Sequence, residues 1–176
     1  MPQKDIKSKA KQIKLLLLDV DGVLTDGSII YDEQGREVKV FNVRDGAMVK
    51  WLKRVGIEVA ILTGRKSKAL ERRAEELGVE ILIQDAKDKL FAFQSLLEKT
   101  GFKPKEIAYL GDDWHDLPVL KRVGLSACPK DAVKEIKEQV DYVCVAGGGK
   151  GAVRELGELI LKAQGKWEEI IKKYLA

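Results

Sequence analysis

The chain has 176 residues, 45% hydrophobic and 34% charged, with 32 Lys+Arg against 28 Asp+Glu and a formal net charge of +4. That length suits one hydrophobic core in a single domain over 1–176, and the composition excludes a disordered chain. With two cysteines (Cys128 and Cys144) and a single histidine, a disulfide scaffold, a cysteine-based zinc site and a His-rich metal cluster are excluded, so a bound metal must be held mainly by oxygen.

No apolar run approaches the ~20 residues of a membrane-spanning helix. The mildly basic balance does not demand a nucleic-acid partner. The cytoplasm is therefore the expected location. Five lysines fall in the first 14 residues with no long apolar stretch after them, so 1–12 reads as a flexible, basic, solvated extension rather than a signal peptide.

Residues 14–19 (KLLLLD) are apolar up to a carboxylate, as in a strand buried on both faces. Segments 28–32 and 37–42 flank a Glu-Gln-Gly-Arg turn and read as a β-hairpin. Asp45 is placed to cap a helix running to about Arg54, ended by Gly56. A second buried strand covers 57–62, a helix covers 67–77 and stops at Gly78, and a short third strand covers 80–83. Next come a helix over 88–100 ended by Gly101, a fourth strand over 107–110 and the segment GDDWHD. Short later strands are predicted at 125–127 and 142–145 with helix over 131–139 between them, then helices over 151–162 and 166–175. Strands alternating with helices make this an α/β fold, Rossmann-like, with a parallel sheet between helix layers.

Ligands of such sheets gather at the carboxyl ends of the strands. After the first strand stand Asp19 and Asp21, two carboxylates leaving an apolar strand. A hard divalent cation such as Mg²⁺ would relieve their repulsion. After the second strand come Thr63, Gly64 and Arg65, a hydroxyl and main-chain N–H groups ahead of a helix, which suit an anion. After the fourth come Asp112, Asp113 and Asp116, carboxylates for the other side of a metal. Lys89 falls in the first turn of a helix, where a cation opposes the helix dipole, and such a broken local rule hints at function.

DVDGVLTDG, ILTGR, the lysine of KDKL and GDDWHD, in this order, resemble the four motifs of the haloacid dehalogenase superfamily of phosphohydrolases. The full DVDGVLTDG form, FNVRDG (41–46) and GGGKGAVREL (147–156) look like the branch of 3-deoxy-D-manno-octulosonate 8-phosphate (KDO 8-phosphate) phosphatases and their close relatives. Trp114-His115 departs from the aliphatic residue often found after GDD in that pattern, and His115 reads as a non-catalytic rim residue.

The resemblance implies a Mg²⁺-dependent phosphomonoesterase acting on an acidic sugar phosphate through an aspartyl phosphate. Asp19 would be the nucleophile and Asp21 the proton donor and acceptor. Thr63, Gly64 and Lys89 would hold the phosphoryl group. Mg²⁺ would be bound by the Asp19 carboxylate, the Asp21 main-chain carbonyl and Asp112, with Asp113 and Asp116 supporting Lys89 and the metal's waters. The hairpin and one helix fill the space between Asp21 and Thr63, and one helix and one strand fill that between Lys89 and Asp112, leaving no cap domain. The open site must then read its substrate with Arg44, Arg65, Lys66 or Arg154, or with residues from neighbouring chains. The resemblance suggests a homotetramer around a hairpin barrel. The flexible, cationic stretch 147–151, with Arg154 just beyond, or the C-terminal helix 166–176, reads as a lid over a neighbour's site; the other reading of the glycines is an ordinary loop before a helix. Whether the sugar acid has eight or nine carbons stays open, as does a non-catalytic oligomerisation domain on the same fold. A receiver domain fits less well, because its phosphorylated Asp ends the third strand and that place holds Gln84-Asp85.

Overall fold

A computed structural model describes residues 3–175. Strands β1 (Leu15–Leu18), β4 (Glu58–Leu62), β5 (Ile81–Ile83), β6 (Ile107–Leu110), β7 (Leu125–Cys128) and β8 (Tyr142–Val143) form one sheet in the order β5-β4-β1-β6-β7-β8, every pair parallel. β2 (Ile30–Tyr31) and β3 (Glu37–Val38) form a separate antiparallel hairpin.

The four leucines of β1 divide by parity between two cores. Leu16 and Leu18 pack against α1 (Gln3–Lys11), α2 (Val43–Arg54), α3 (Lys68–Leu77), α7 (Ala152–Ala163) and α8 (Trp167–Leu175). Leu15 and Leu17 face α4 (Lys89–Thr100), α5 (Leu117–Leu120) and α6 (Lys134–Lys137). Period-two alternation sends successive side chains to opposite faces, so a strand between two helix layers must be apolar throughout. Burying each leucine contributes roughly 1.5–3 kcal/mol.

Four expectations are corrected. Residues 3–11 are not a solvated extension: they form α1, whose Ala10 is fully buried in the core shared with α7, while Met1 and Pro2 lie outside the described residues. The spacing of Ile6, Ala10 and Ile13 is the apolar stripe hidden among the lysines. Helix α2 is capped by Asn42, whose Oδ1 accepts from the Arg44 N–H at 2.8 Å, and not by Asp45. The hairpin strands shorten to two residue pairs, Ile30 with Val38 and Tyr31 with Glu37. Helix over 131–139 shrinks to α6, its start delayed by the turn at Pro129–Ala132. The short helix α5 and the 3-10 turns Pro104–Glu106 and Trp114–Asp116 also went unpredicted, three or four residues being too few to show a period.

Candidate active site

The site is built at the carboxyl ends of β1, β4 and β6. A cleft of about 460 Å³ is lined by Asp19, Asp21, Gly22, Thr63, Gly64, Arg65, Lys89, Asp112, Asp113, His115 and Asp116, among others. All eight residues expected to supply nucleophile, proton transfer, phosphate binding, metal ligation and support therefore meet in one place, as do Arg65 and the rim residue His115.

Asp19 continues β1, its N–H donating to the Leu110 carbonyl at 3.0 Å, and is 7% exposed. Lys89, the first residue of α4, is also 7% exposed; Asp88 caps the helix behind it. Its Nζ lies 2.9 Å from Asp19 Oδ1 and 2.6 Å from Asp116 Oδ1, and 3.5 Å from the buried hydroxyl of Tyr109. The same Asp116 oxygen accepts from Tyr109. Asp116 Oδ2 accepts from the Asp112 and Asp113 N–H groups at 2.9 and 3.2 Å. Both oxygens of Asp116 are thus taken, and it fixes Lys89 and the turn after β6. Asp113 caps that turn, its Oδ1 accepting from the Trp114 N–H at 2.7 Å. Thr63 is 3% exposed at the end of β4, its Oγ1 accepting from the Arg65 N–H at 3.3 Å.

Asp19, Asp112 and Asp116 bring carboxylate oxygens within 4.8 Å of one another. Burial, then repulsion from Asp116, raises the Asp19 carboxyl to about 7, with Lys89 only partly opposing it. Burial, then the charges of Asp19 and Asp116, raises Asp112 to about 7 as well. Burial lowers Lys89, but Asp19 and Asp116 outweigh it and the net direction is up. Three carboxylates face one ammonium, so the cluster as ionised lacks two positive charges. An all-oxygen set short of two charges fits a hard divalent cation. Asp19 and Asp112 carry the oxygens left to bind it. Close approach is built in at Gly22, φ +81°, where a Cβ would stand 2.1 Å from Asp112 Oδ2.

The remaining substrate candidates behave differently. Arg65 Nη1 lies 3.8 Å from Asp21 Oδ2 and its Nη2 lies 2.6 Å from Glu37 Oε1. Lys66 is exposed beside the cleft, in a hollow between the hairpin and the start of α3. Arg44 is exposed at the start of α2 and does not line the cleft. Arg154 is held in its own chain, its guanidinium 4.3 Å from the Trp51 ring centroid and 5.4 Å from that of Trp167, with Nε 2.5 Å from Glu158. Cation–π stacking and an i,i+4 ion pair account for it as a clasp between α2, α7 and α8.

The glycine stretch is a packed loop. Asn42 Nδ2 donates to the Gly149 carbonyl at 3.0 Å, and the Gly149 N–H donates to the Val23 carbonyl at 2.9 Å. Asp45, 1% exposed, accepts from the Gly151 and Arg154 N–H groups at 3.2 and 2.7 Å. FNVRDG and GGGKGAVREL therefore meet, and together they brace the loop after β1.

Sequence reasoning missed Glu37 and Lys39. Their side chains are 16% and 3% exposed, and Lys39 Nζ contacts both Asp21 and Glu37. Val38 and Val40, between and beyond them, are 43% and 66% exposed. The run Glu-Val-Lys-Val alternates as a strand should, but its charged face points in. An alternation was legible; which face looked inward was not.

A family model for haloacid dehalogenase-like hydrolases matches residues 35–124. The chain is 49% identical over 165 residues to KdsC, a 3-deoxy-D-manno-octulosonate 8-phosphate phosphatase of Escherichia coli (strain B / BL21-DE3), covering 94% of this chain and 88% of that protein. The chain belongs to the haloacid dehalogenase-like hydrolases. Among solved structures of such phosphatases, one from Pseudomonas syringae, described as a probable YrbI family phosphatase, superposes with TM-score 0.97 at 44% identity, covering 99% of both chains. A 3-deoxy-D-manno-octulosonate 8-phosphate phosphatase from Moraxella catarrhalis, in complex with magnesium ion, phosphate ion and KDO, superposes with TM-score 0.95 at 43% identity, covering 98% of this chain and 99% of that one. The six-stranded parallel sheet with its helix layers is thus the fold of these hydrolases, and the chain is a phosphatase.

Proposed function

We propose that this phosphatase hydrolyses KDO 8-phosphate to KDO and inorganic phosphate with Mg²⁺ as cofactor. The observation that carries the reading is 49% identity to KdsC over 94% of the chain, in which residues of all four motifs line one cleft. The Moraxella complex supports it from the side of the ligands.

Asp19 presents a carboxylate oxygen to phosphorus while Lys89 fixes its other side. The Asp19 oxygen forms the new P–O bond as the bond to the sugar oxygen breaks, and Asp21 gives that oxygen a proton. Water then attacks phosphorus, Asp21 takes its proton, and Asp19 departs as the free carboxylate. Thr63, the Gly64 N–H and Lys89 hold the phosphoryl oxygens. Asp19, Asp112 and the Asp21 main-chain carbonyl would hold Mg²⁺, which when bound draws carboxylate and phosphate together and neutralises the transferring oxygens. Asp116 and Asp113 position Lys89 and the turn after β6.

The hairpin turns Ile30, Val38 and Val40 outward, 42%, 43% and 66% exposed, and leaves Ile29 and Tyr31 exposed beside them at 59% and 61%. A two-stranded hairpin is marginal alone, and an apolar outer face calls for a partner. The partner we infer is the same hairpin of other copies, closing a homotetramer. Free, buried Cys128 and Cys144 suit the reducing cytoplasm. No helix among the described residues is long and apolar enough to cross a membrane.

The test is phosphate release from purified protein across a panel of sugar phosphates, with and without Mg²⁺. KDO 8-phosphate is expected to be the best substrate. Greater turnover of a nine-carbon sugar acid phosphate, or none of any substrate, would overturn the reading.

A further inference from the structure

Glu37 and Lys39 occupy the inward face of the hairpin and have no part in the chemistry assigned above. A Lys39 side chain only 3% exposed is costly unless its charge is paired. Its Nζ meets Asp21 Oδ1 and lies 3.3 Å from Glu37 Oε1. Arg65 completes a ring through Glu37 Oε1 at 2.6 Å and Asp21 Oδ2 at 3.8 Å. Two cations balance two carboxylates while Asp21 is ionised, and the ring carries one positive charge when Asp21 holds the proton it donates. Within it the two oxygens of Asp21 differ. Oδ1 is bonded by Lys39, whereas Oδ2 is buried and makes no hydrogen bond. Arg65 is a poor substitute for Lys39, since it is 37% exposed, stands at ion-pair rather than hydrogen-bond distance from Asp21, and is already bonded to Glu37.

We propose that Lys39 is a positioning residue for Asp21: it pins Oδ1 and so presents Oδ2 for proton transfer at the leaving oxygen and the attacking water. The inference rests on the reading of Asp21 as proton donor. A donor must stand within ~2.6–3.2 Å of its target, and a misplacement of ~1 Å can lower the rate about 100-fold. Glu37 holds Lys39 and Arg65 in place from the other side.

The leaving group tests this. Alkoxide of a sugar departs poorly without a proton, whereas p-nitrophenolate departs without one. Lys39→Met keeps an unbranched stem of the same length as far as Cε and removes the ammonium. With KDO 8-phosphate, kcat/KM is expected to fall about 100-fold. The fall with p-nitrophenyl phosphate is expected to be at least tenfold smaller. Inhibition by KDO should stay within threefold of wild type, and Lys39→Arg should recover part of the loss. Equal losses on both substrates, no loss on either, or weakened KDO inhibition in step with kcat/KM would each overturn the proposal. If Lys39→Met does not fold, Lys39→Gln carries the same comparison. Wild-type protein that cleaves p-nitrophenyl phosphate but not KDO 8-phosphate would instead sink the substrate reading. The Lys39 comparison would then run on glycerol 3-phosphate as the alkyl ester.

Discussion

Gly148 sits directly on the main-chain carbonyl of Gly22: a Cβ added at Gly148 would stand 1.9 Å from Gly22 O and 2.8 Å from Thr25 O. The obstacle is backbone, which cannot swing aside as a side chain can. Gly22 in turn follows Asp21 and packs on Asp112. The glycine-rich loop thereby fixes the height of the loop that follows Asp19 and carries Asp21. Gly148→Ala is expected to push that loop away, lowering kcat at least tenfold and the melting temperature by several degrees. Steady-state kinetics and calorimetry check it; wild-type kcat would show that the contact does not set the site.

Asp19→Asn removes the carboxylate proposed as nucleophile and keeps its size. Phosphatase activity should be abolished, with melting within a few degrees of wild type, because a carboxylate held against Asp112 and Asp116 is replaced by a neutral amide. Turnover within a few-fold of wild type would reassign the nucleophile.

Asp116→Ala strips Lys89 of its 2.6 Å partner and leaves the Tyr109 hydroxyl and two N–H groups unsatisfied. Breaking a buried ion pair from one side costs about 3–5 kcal/mol. A loss of that size in denaturant unfolding, with activity falling even under conditions where the variant stays folded, is expected.

The raised carboxyls make stability depend on pH. Asp19 and Asp112 titrate at about 7 when folded without metal, against an ordinary value of 3.8. The folded state therefore binds more protons between these values, and stability falls as pH rises through that window. Glu37 and Glu158 have the opposite sign: burial pushes both up, but their hydrogen bonds and ion pairs outweigh it, and stability from them is fully present above about 5. Metal-free protein should thus melt progressively lower from pH 5.5 to pH 8. Added Mg²⁺ should raise the melting point most at pH 8, where the carboxyls of Asp19 and Asp112 are both ionised. A melting point that rises with pH in chelated protein would contradict this.

The outward hairpin face predicts assembly. Light scattering should give a mass near four chains of 19.7 kDa. Val38→Lys with Val40→Lys places charge on that face without touching Lys39 and should dissociate the particle. A monomeric wild type would remove the tetramer.

The α/β class, the four apolar strand cores and the carboxyl-end chemistry were legible in the sequence, because they are local. Leu15 to Leu18 reads as a doubly buried strand by composition alone. Asp19 and Asp112 follow directly on such strands, so topology carries them to one edge. Lys89 announced itself by sitting where the helix dipole disfavours it. Tertiary structure decided the rest. The helical stripe of α1 was obscured by lysines until α7 gave it a face to cover. Asp45 looked like a cap for its own helix, yet its carboxylate closes the start of α7, more than 100 residues on. Arg154 looked like a substrate contact until Trp51 and Trp167 closed around it. Lys39 lay in an alternating strand whose charged side could have faced water. Only the position of Asp21 relative to the hairpin turns it inward, since a strand's period specifies two faces and its surroundings choose which one is buried.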